Sequence, residues 1–335
     1  MQYFNEIGYL WMIIFIMISA GIAKDNRFFD PLYHYIKKVF KSNRSVLVII
    51  SAIGGMLPIH GRVTVSAGLI DTMAHKDGPR RQKMGIVDYL ATHHYYMWSP
   101  IEKTVILPMA AMGITYTAWV QMIWPFLAGS FLFIGWYIYT QVEEQDIVIT
   151  ETLGDIGNVF KYIIPMFLSI VNYILTDNYY LSFGALALYY MVMSKTWKVI
   201  HYINWQVIFI VGVVIVLSNY LKSNEEYFQS LIIGSTIDPS TLVGMSIITC
   251  IGFLSSFIMG SSGKFIAFAI LLSQIFGSEY FLWFFAVDYV GYLISPSHKC
   301  LLIGNRYFGT PFLTYYKVLG LWSLVLLSVG FFLTF

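Results

Sequence analysis

Long apolar runs, separated by short polar stretches, recur along the whole chain. Those at 8–23, 115–139, 159–176, 180–194, 203–221 and 314–335 are uninterrupted. Runs of roughly 17–25 apolar residues cross a bilayer core as helices, and none of these shows the strict alternation of a strand. Two further runs, 86–113 and 280–304, are interrupted by Ser99-Pro100 and Ser295-Pro296. Proline removes a backbone donor and disfavours helix in the residue before it, so each is predicted to be a broken helix. Two others, 45–74 and 241–273, break at their centres, at Leu57-Pro58-Ile59-His60-Gly61 and Met259-Gly260-Ser261-Ser262-Gly263-Lys264. Each limb of 45–74 has only about 13 residues, too short for a core of roughly 30 Å, so the segment is predicted to enter and return as a re-entrant hairpin. The same shape is predicted for 241–273. An amphipathic stretch precedes each hairpin, at 28–40 and 225–233, and is expected to lie along the membrane surface.

Composition agrees with this solvent. Apolar residues make up 58% of the chain and charged residues 11%, against about 25% charge in a soluble domain. An aromatic share of 18% suits interfacial belts of Trp and Tyr. The net charge of +2 is too small to point to nucleic acid. Cys250 and Cys300 lie in apolar segments without C-x-x-C spacing, so buried packing is expected rather than a disulfide or zinc framework. The run 8–23 has its basic residues after it rather than before, and so reads as a first span rather than a cleavable signal.

The charges set the orientation. Half of the 20 Lys and Arg residues fall in two clusters: Lys24, Arg27, Lys37, Lys38, Lys41 and Arg44, then Lys76, Arg80, Arg81 and Lys83. Positive loops stay on the cytoplasmic side, so 45–74 enters from and returns to the cytoplasm. Five crossings then lead to Lys222, which places the second hairpin on the opposite face. The expectation is about eight spans in a cytoplasmic (inner) membrane, with both chain ends external.

The two halves repeat. Trp98-Ser99-Pro100-Ile101-Glu102-Lys103 resembles Ile294-Ser295-Pro296-Ser297-His298-Lys299, and Ile53-Gly54 resembles Ile251-Gly252, at offsets near 197 residues. Residues 1–139 and 140–335 therefore read as two repeats of opposite orientation, an architecture common among secondary transporters. The second carries two additional helices, 159–176 and 180–194, so the first looks shortened at its amino end. The fold class expected is an all-α polytopic membrane protein, an inverted-topology repeat with two re-entrant hairpins and two broken helices.

Hairpin, broken helix with a Ser-Pro step and final span, duplicated with inversion, resemble the ion-transporter superfamily of gluconate, citrate and dicarboxylate carriers, arsenite pumps and some sodium/proton antiporters. Within it, Gly54-Gly55-Met56-Leu57-Pro58 and Leu293-Ile294-Ser295-Pro296-Ser297-His298-Lys299-Cys300-Leu301 look most like an uncharacterised prokaryotic integral-membrane family, domain of unknown function 401. The resemblance implies a homodimer in the lipid bilayer, with hairpin tips and helix breaks converging near the midplane. Freed backbone groups are tolerated there only around a polar cavity, where half-helix N-termini favour anions and carbonyls favour sodium ions or protons.

The candidate residues follow from that placement. His60 and Arg62 lie at the first tip; Ser261, Ser262 and Lys264 lie at the second; Ser99 and Ser295 mark the breaks, with His298 and Lys299 after the second. These are the expected substrate-binding residues. An ionisable group at the bilayer centre costs at least about 2.5 kcal/mol on insertion scales and so needs a partner or a purpose. Arg62, Lys103, Lys264 and Lys299 face Glu102 alone, a surplus that suits an anionic solute. Asp288 and Glu102 are the candidate ion-coupling carboxylates; internal pairing of Glu102 with Lys103 or Arg62 is the plainer alternative. Asp71 and Asp88 are expected to be solvated. His93-His94 is no metal pair by itself, since neighbours on a helix point about 100° apart, and no metal is expected.

The expected function is a secondary carrier of a small, organic anion coupled to Na+ or H+ by elevator-like alternating access. It needs no cofactor beyond a coupling ion such as Na+. A cation/proton antiporter would need carboxylates rather than cations at the site, and a non-transporting accessory membrane protein is the third reading. The chain has no H-E-x-x-H or Gly-x-Ser-x-Gly motif and no evident nucleophile–base pair, so no enzyme is expected.

Overall fold

A computed structural model describes residues 2–40, 42–56, 78–143, 156–233 and 235–335 of the chain. Every regular element among them is helical. In chain order these are α1 (Gln2–Asp25), α2 (Asp30–Val39), α3 (Asn43–Met56), α4 (Gly78–His93), α5 (Lys103–Met112), α6 (Tyr116–Gln141), α7 (Ile156–Tyr162) and α8 (Ile164–Thr176). A π-turn, Tyr180–Gly184, leads into α9 (Ala185–Ser194). Then follow α10 (Trp205–Ser223), α11 (Glu225–Ile232), α12 (Leu242–Met259), α13 (Ser262–Phe276), α14 (Phe281–Leu293), α15 (Lys299–Phe308) and α16 (Phe312–Thr334).

Five helical stretches among the described residues are long and apolar enough to cross a membrane: Gly8–Asp25, Tyr116–Gln141, Ile156–Thr176, Leu242–Met259 and Phe312–Thr334. The bent pair Trp205–Leu221 and Glu226–Ile232 makes a sixth if it is one span. The difference from about eight has local causes. The runs 86–113 and 280–304 are each split at a Ser-Pro step into shorter helices, Tyr180–Ser194 is a shorter apolar helix, and Trp205–Leu221 counts only with its bent continuation. Leu242–Met259, expected as one limb of a re-entrant hairpin, is by itself long and apolar enough to cross. Large apolar side chains face outward in numbers no aqueous surface carries, among them Leu132, Leu175, Leu242 and Phe332, each at least 75% exposed. The chain is an all-α polytopic membrane protein.

The buried stripe of α12 runs Gly244, Met245, Ile248, Gly252, Ser256, a step of about one helical turn. That stripe lies on α14. Trp283 Nε1 donates to Thr249 Oγ1 at 2.8 Å near one end, and Ser295 Oγ donates to the Phe257 carbonyl at 2.5 Å near the other, so α12 and α14 run in the same direction. The chain reverses at Gly260-Ser261, and α13 runs back along α14, with the Phe265 ring 5.0 Å from that of Tyr292. Cys250 sits on the opposite face of α12 from the stripe and is exposed, and Cys300 is only partly buried. Buried packing is thus corrected for Cys250, while Cys300 packs partly buried against the core.

Polar anchors hold the amino end of α4. Arg81, expected in a cytoplasmic loop, lies inside this helix, and its Nη2 donates to the Tyr307 carbonyl near the end of α15 at 2.6 Å. Cations satisfy the exposed carbonyls of a helix C-terminus in this way. Asp88, expected to be solvated, is buried and accepts a hydrogen bond from Ser51 Oγ of α3 at 3.0 Å. Asp71 lies outside the described residues.

Candidate functional site at the helix breaks

The two breaks expose carbonyls that the helices cannot bond, and named side chains satisfy them. In the first break, Trp119 Nε1 donates to Met97 O at 2.8 Å, Tyr116 Oη to Trp98 O at 2.7 Å and Thr104 Oγ1 to Tyr96 O at 2.5 Å. In the second, Tyr89 Oη of α4 donates to Leu293 O at 2.7 Å, and His298 Nδ1 lies 3.1 Å from Tyr292 O. An irregular backbone can persist at membrane depth only when it is buried and bonded in this manner.

The turn of the second hairpin sits directly on the second break. Gly260 ends α12 in the left-handed region, φ +53°, which a glycine adopts without strain. A Cβ there would collide with Ser297 Oγ and stand 2.8 Å from Ser295 Oγ. Those two hydroxyls lie 2.9 Å apart, and Ser297 Oγ donates to Ile258 O at 3.1 Å. The Ser295-Pro296-Ser297 step thereby caps the last carbonyls of α12.

The first break reaches the same turn. Lys103 extends to the start of α13, where a Cβ on Gly263 would stand 3.3 Å from Lys103 Cε. Glu102, at the N-cap of α5, is buried, as are Ser99, Ser262 and Ser295. Ser261, the N-cap of α13, is half-buried. Lys264 and Lys299 are exposed and do not enter this buried group. His60 and Arg62 lie outside the described residues.

Asp288 is fully buried on α14 against Gly252, where a Cβ would stand 2.5 Å from its Oδ1. Neither carboxylate oxygen reaches hydrogen-bond geometry with a described group, and the hydroxyl of Ser256, which faces it from α12, is equally unsatisfied. Ser256 contributes a polar neighbour without a well-formed bond.

Between α4 and α14 lies an aromatic and imidazole cluster that joins His298, expected at the solute site, to His93, set aside as a metal ligand from the sequence alone. His93 Nε2 is 3.2 Å from His298 Nε2, and the Cys300 thiol lies within 4.8 Å of the ligand atoms of both rings. Tyr292 Oη donates to Tyr96 Oη at 2.9 Å, and Tyr289 Oη donates to His93 O at 2.7 Å. Both pairs are 196 residues apart, the separation of Ser99 and Ser295. That arithmetic was the available signal: Tyr96 and Tyr292 each stand three residues before a Ser-Pro serine. His94, by contrast, turns away, accepting from Trp98 Nε1 at 2.9 Å.

A separate small cavity is bordered by Ile16, Ala20, Met166, Ile170 and Ile101. Its polar lining is limited to Ser19 and Tyr190, whose hydroxyls are engaged by Phe15 O and Tyr162 O. It lacks the convergent polar groups of a solute site.

No curated protein matches the chain. Residues 5–334 match the family described as Protein of unknown function (DUF401). With nearly the whole chain matched, the protein belongs to that family.

Proposed function

We propose that the protein is a secondary active transporter of a small organic anion, coupled to Na+ or H+, working by elevator-like movement of the hairpin-bearing helices. One observation carries this reading: the second hairpin meets both helix breaks, Gly260 of its turn beside the Ser295 and Ser297 hydroxyls and Gly263 at the start of α13 beside the Lys103 side chain. Broken helices and hairpin turns that converge on buried polar groups are how carriers build a midplane site.

Further support comes from the pairing of equivalent positions. In a two-fold arrangement, a residue near the axis meets its own counterpart, as Tyr96 meets Tyr292. Packing follows the same scheme, with α3 lying on α4 as α12 lies on α14. These contacts favour two repeats, 1–139 and 140–335, of inverted topology. Lys103 and the backbone N–H groups at the start of α13 supply the positive potential for an anion. Asp288 and Glu102 are buried carboxylates available to a coupling ion, while the buried Asp88 is held by Ser51. The resemblance extends this to Ser99, Ser295, His298, Ser261, Ser262, Lys264, Lys299, His60 and Arg62 as solute contacts, in a homodimer of the inner membrane.

Asp288 and Glu102, buried carboxylates, also favour a second reading, cation/proton antiport. Proteoliposomes decide between them. Anion carriage predicts that a labelled mono- or dicarboxylate accumulates under an imposed sodium or proton gradient and stops when the gradient is collapsed. Collapse of a pH gradient on addition of Na+ or Li+, with no anion accumulating, would replace the proposal with antiport.

A further inference from the structure

We propose that His93, His298 and Cys300 form a binding site for a transition-metal cation of the Zn2+ type, bridging α4 and α15. The site shares His298 with the transport reading, but its donors are argued from their own hydrogen bonds and its test reads metal binding directly.

The tautomers follow from the partners. His93 Nδ1 is 2.6 Å from the carbonyl of Tyr89, an atom that can only accept, so this nitrogen carries the proton. His298 Nδ1 is 3.1 Å from the Tyr292 carbonyl and 2.9 Å from Tyr89 Oη, whose own proton is given to Leu293 O. Both contacts require a proton on His298 Nδ1 as well. In the neutral rings Nε2 is then the lone-pair nitrogen of each histidine, and the two nitrogens stand 3.2 Å apart. They repel unless an electropositive centre lies between them.

A metal ion fits that geometry. With Zn–N bonds of about 2.05 Å, a tetrahedral angle sets the two nitrogens about 3.3 Å apart. The thiol lies within 4.8 Å of both, and reaching a Zn–S bond of about 2.3 Å takes on the order of 1 Å of side-chain movement. Two imidazoles and a thiolate suit Zn2+, Co2+ or copper, whereas Na+, Mg2+ and Ca2+ prefer oxygen. Binding a divalent ion here releases the thiol proton to solvent, leaving two neutral imidazoles and one thiolate as ligands.

The supporting groups are those a metal site needs. A ligating histidine characteristically donates its other ring N–H to a carbonyl or carboxylate, and both rings do so. Each ring is also held in a slot, His93 stacked 3.9 Å from Tyr89 and His298 4.2 Å from Tyr292. Sequence distance hid the site: His93 and His298 are 205 residues apart. A cation here would staple the two broken helices together.

The test uses tag-free, full-length protein in detergent micelles, stripped with EDTA and dialysed. Co2+ is titrated in, and thiolate-to-cobalt absorption in the near ultraviolet is recorded; Zn2+ content after equilibration is measured by mass spectrometry. Wild type and Cys250→Ser should bind one equivalent with the thiolate band. Cys300→Ser, nearly isosteric, should lose the band, and His93→Gln should weaken binding at least tenfold. Should His93→Gln fail to fold, Cys300→Ser alone decides. Binding of Co2+ and Zn2+ by wild type no better than by Cys300→Ser overturns the proposal and leaves the histidine pair sharing a proton. Loss of metal binding with anion uptake intact, or the reverse, separates this inference from the transport reading.

Discussion

Gly260→Ala tests whether the hairpin turn and the second helix break form one unit. The backbone at Gly260 has φ +53°, and an L-residue held there costs roughly 1–2 kcal/mol. The added methyl would also collide with Ser297 Oγ and stand 2.8 Å from Ser295 Oγ. Moving those hydroxyls sacrifices their bonds to Ile258 O and Phe257 O, worth about 1 kcal/mol each. The sum is about 3 kcal/mol, roughly a hundredfold in the population of the docked turn. If the unfolding entropy per residue of soluble proteins carries over, the apparent thermal midpoint in detergent should fall by about 4 °C. Uptake into proteoliposomes should fall more than tenfold on the transport reading. Gly135→Ala is the control, because nothing lies within 4 Å of a Cβ there and alanine is the better helix former. Adding Ser297→Ala to Gly260→Ala should relieve the closest collision but neither the 2.8 Å approach to Ser295 Oγ nor the backbone strain. A Gly260→Ala protein as stable and as active as Gly135→Ala would refute the argument.

Two other experiments probe coupling and topology. Asp288→Asn keeps shape and hydrogen-bonding capacity but removes the titratable proton, so solute binding should persist while accumulation driven by a pH gradient is lost; undiminished pH-driven accumulation would move suspicion to Glu102 or to sodium. Single cysteines at Ser45 and Lys76, in a background lacking Cys250 and Cys300, should both be labelled from the cytoplasm, and those at Ser240 and Ser278 from outside. Labelling of Ser45 and Lys76 from opposite faces would dismantle the re-entrant reading of 45–74.

What could be read from the chain alone was local. Apolar run length fixes which segments suit a bilayer, and proline and glycine act on their own backbone, so the breaks at Ser99-Pro100 and Ser295-Pro296 and the turn at Gly260 were visible as letters. Which way a side chain faces, and what it meets, depends on how helices rotate and pack. The α12 stripe turns Gly252 to Asp288 and leaves Cys250 outside; Lys264 and Lys299 project to the surface while Lys103 reaches the hairpin. Asp88, near a run of cations, is buried because Ser51 of α3 reaches it. His93 gains its partners from His298 and Cys300, which α15 brings to the end of α4. Periodicity records one helix at a time, whereas these contacts join segments up to about two hundred residues apart, and only the assembled fold decides them.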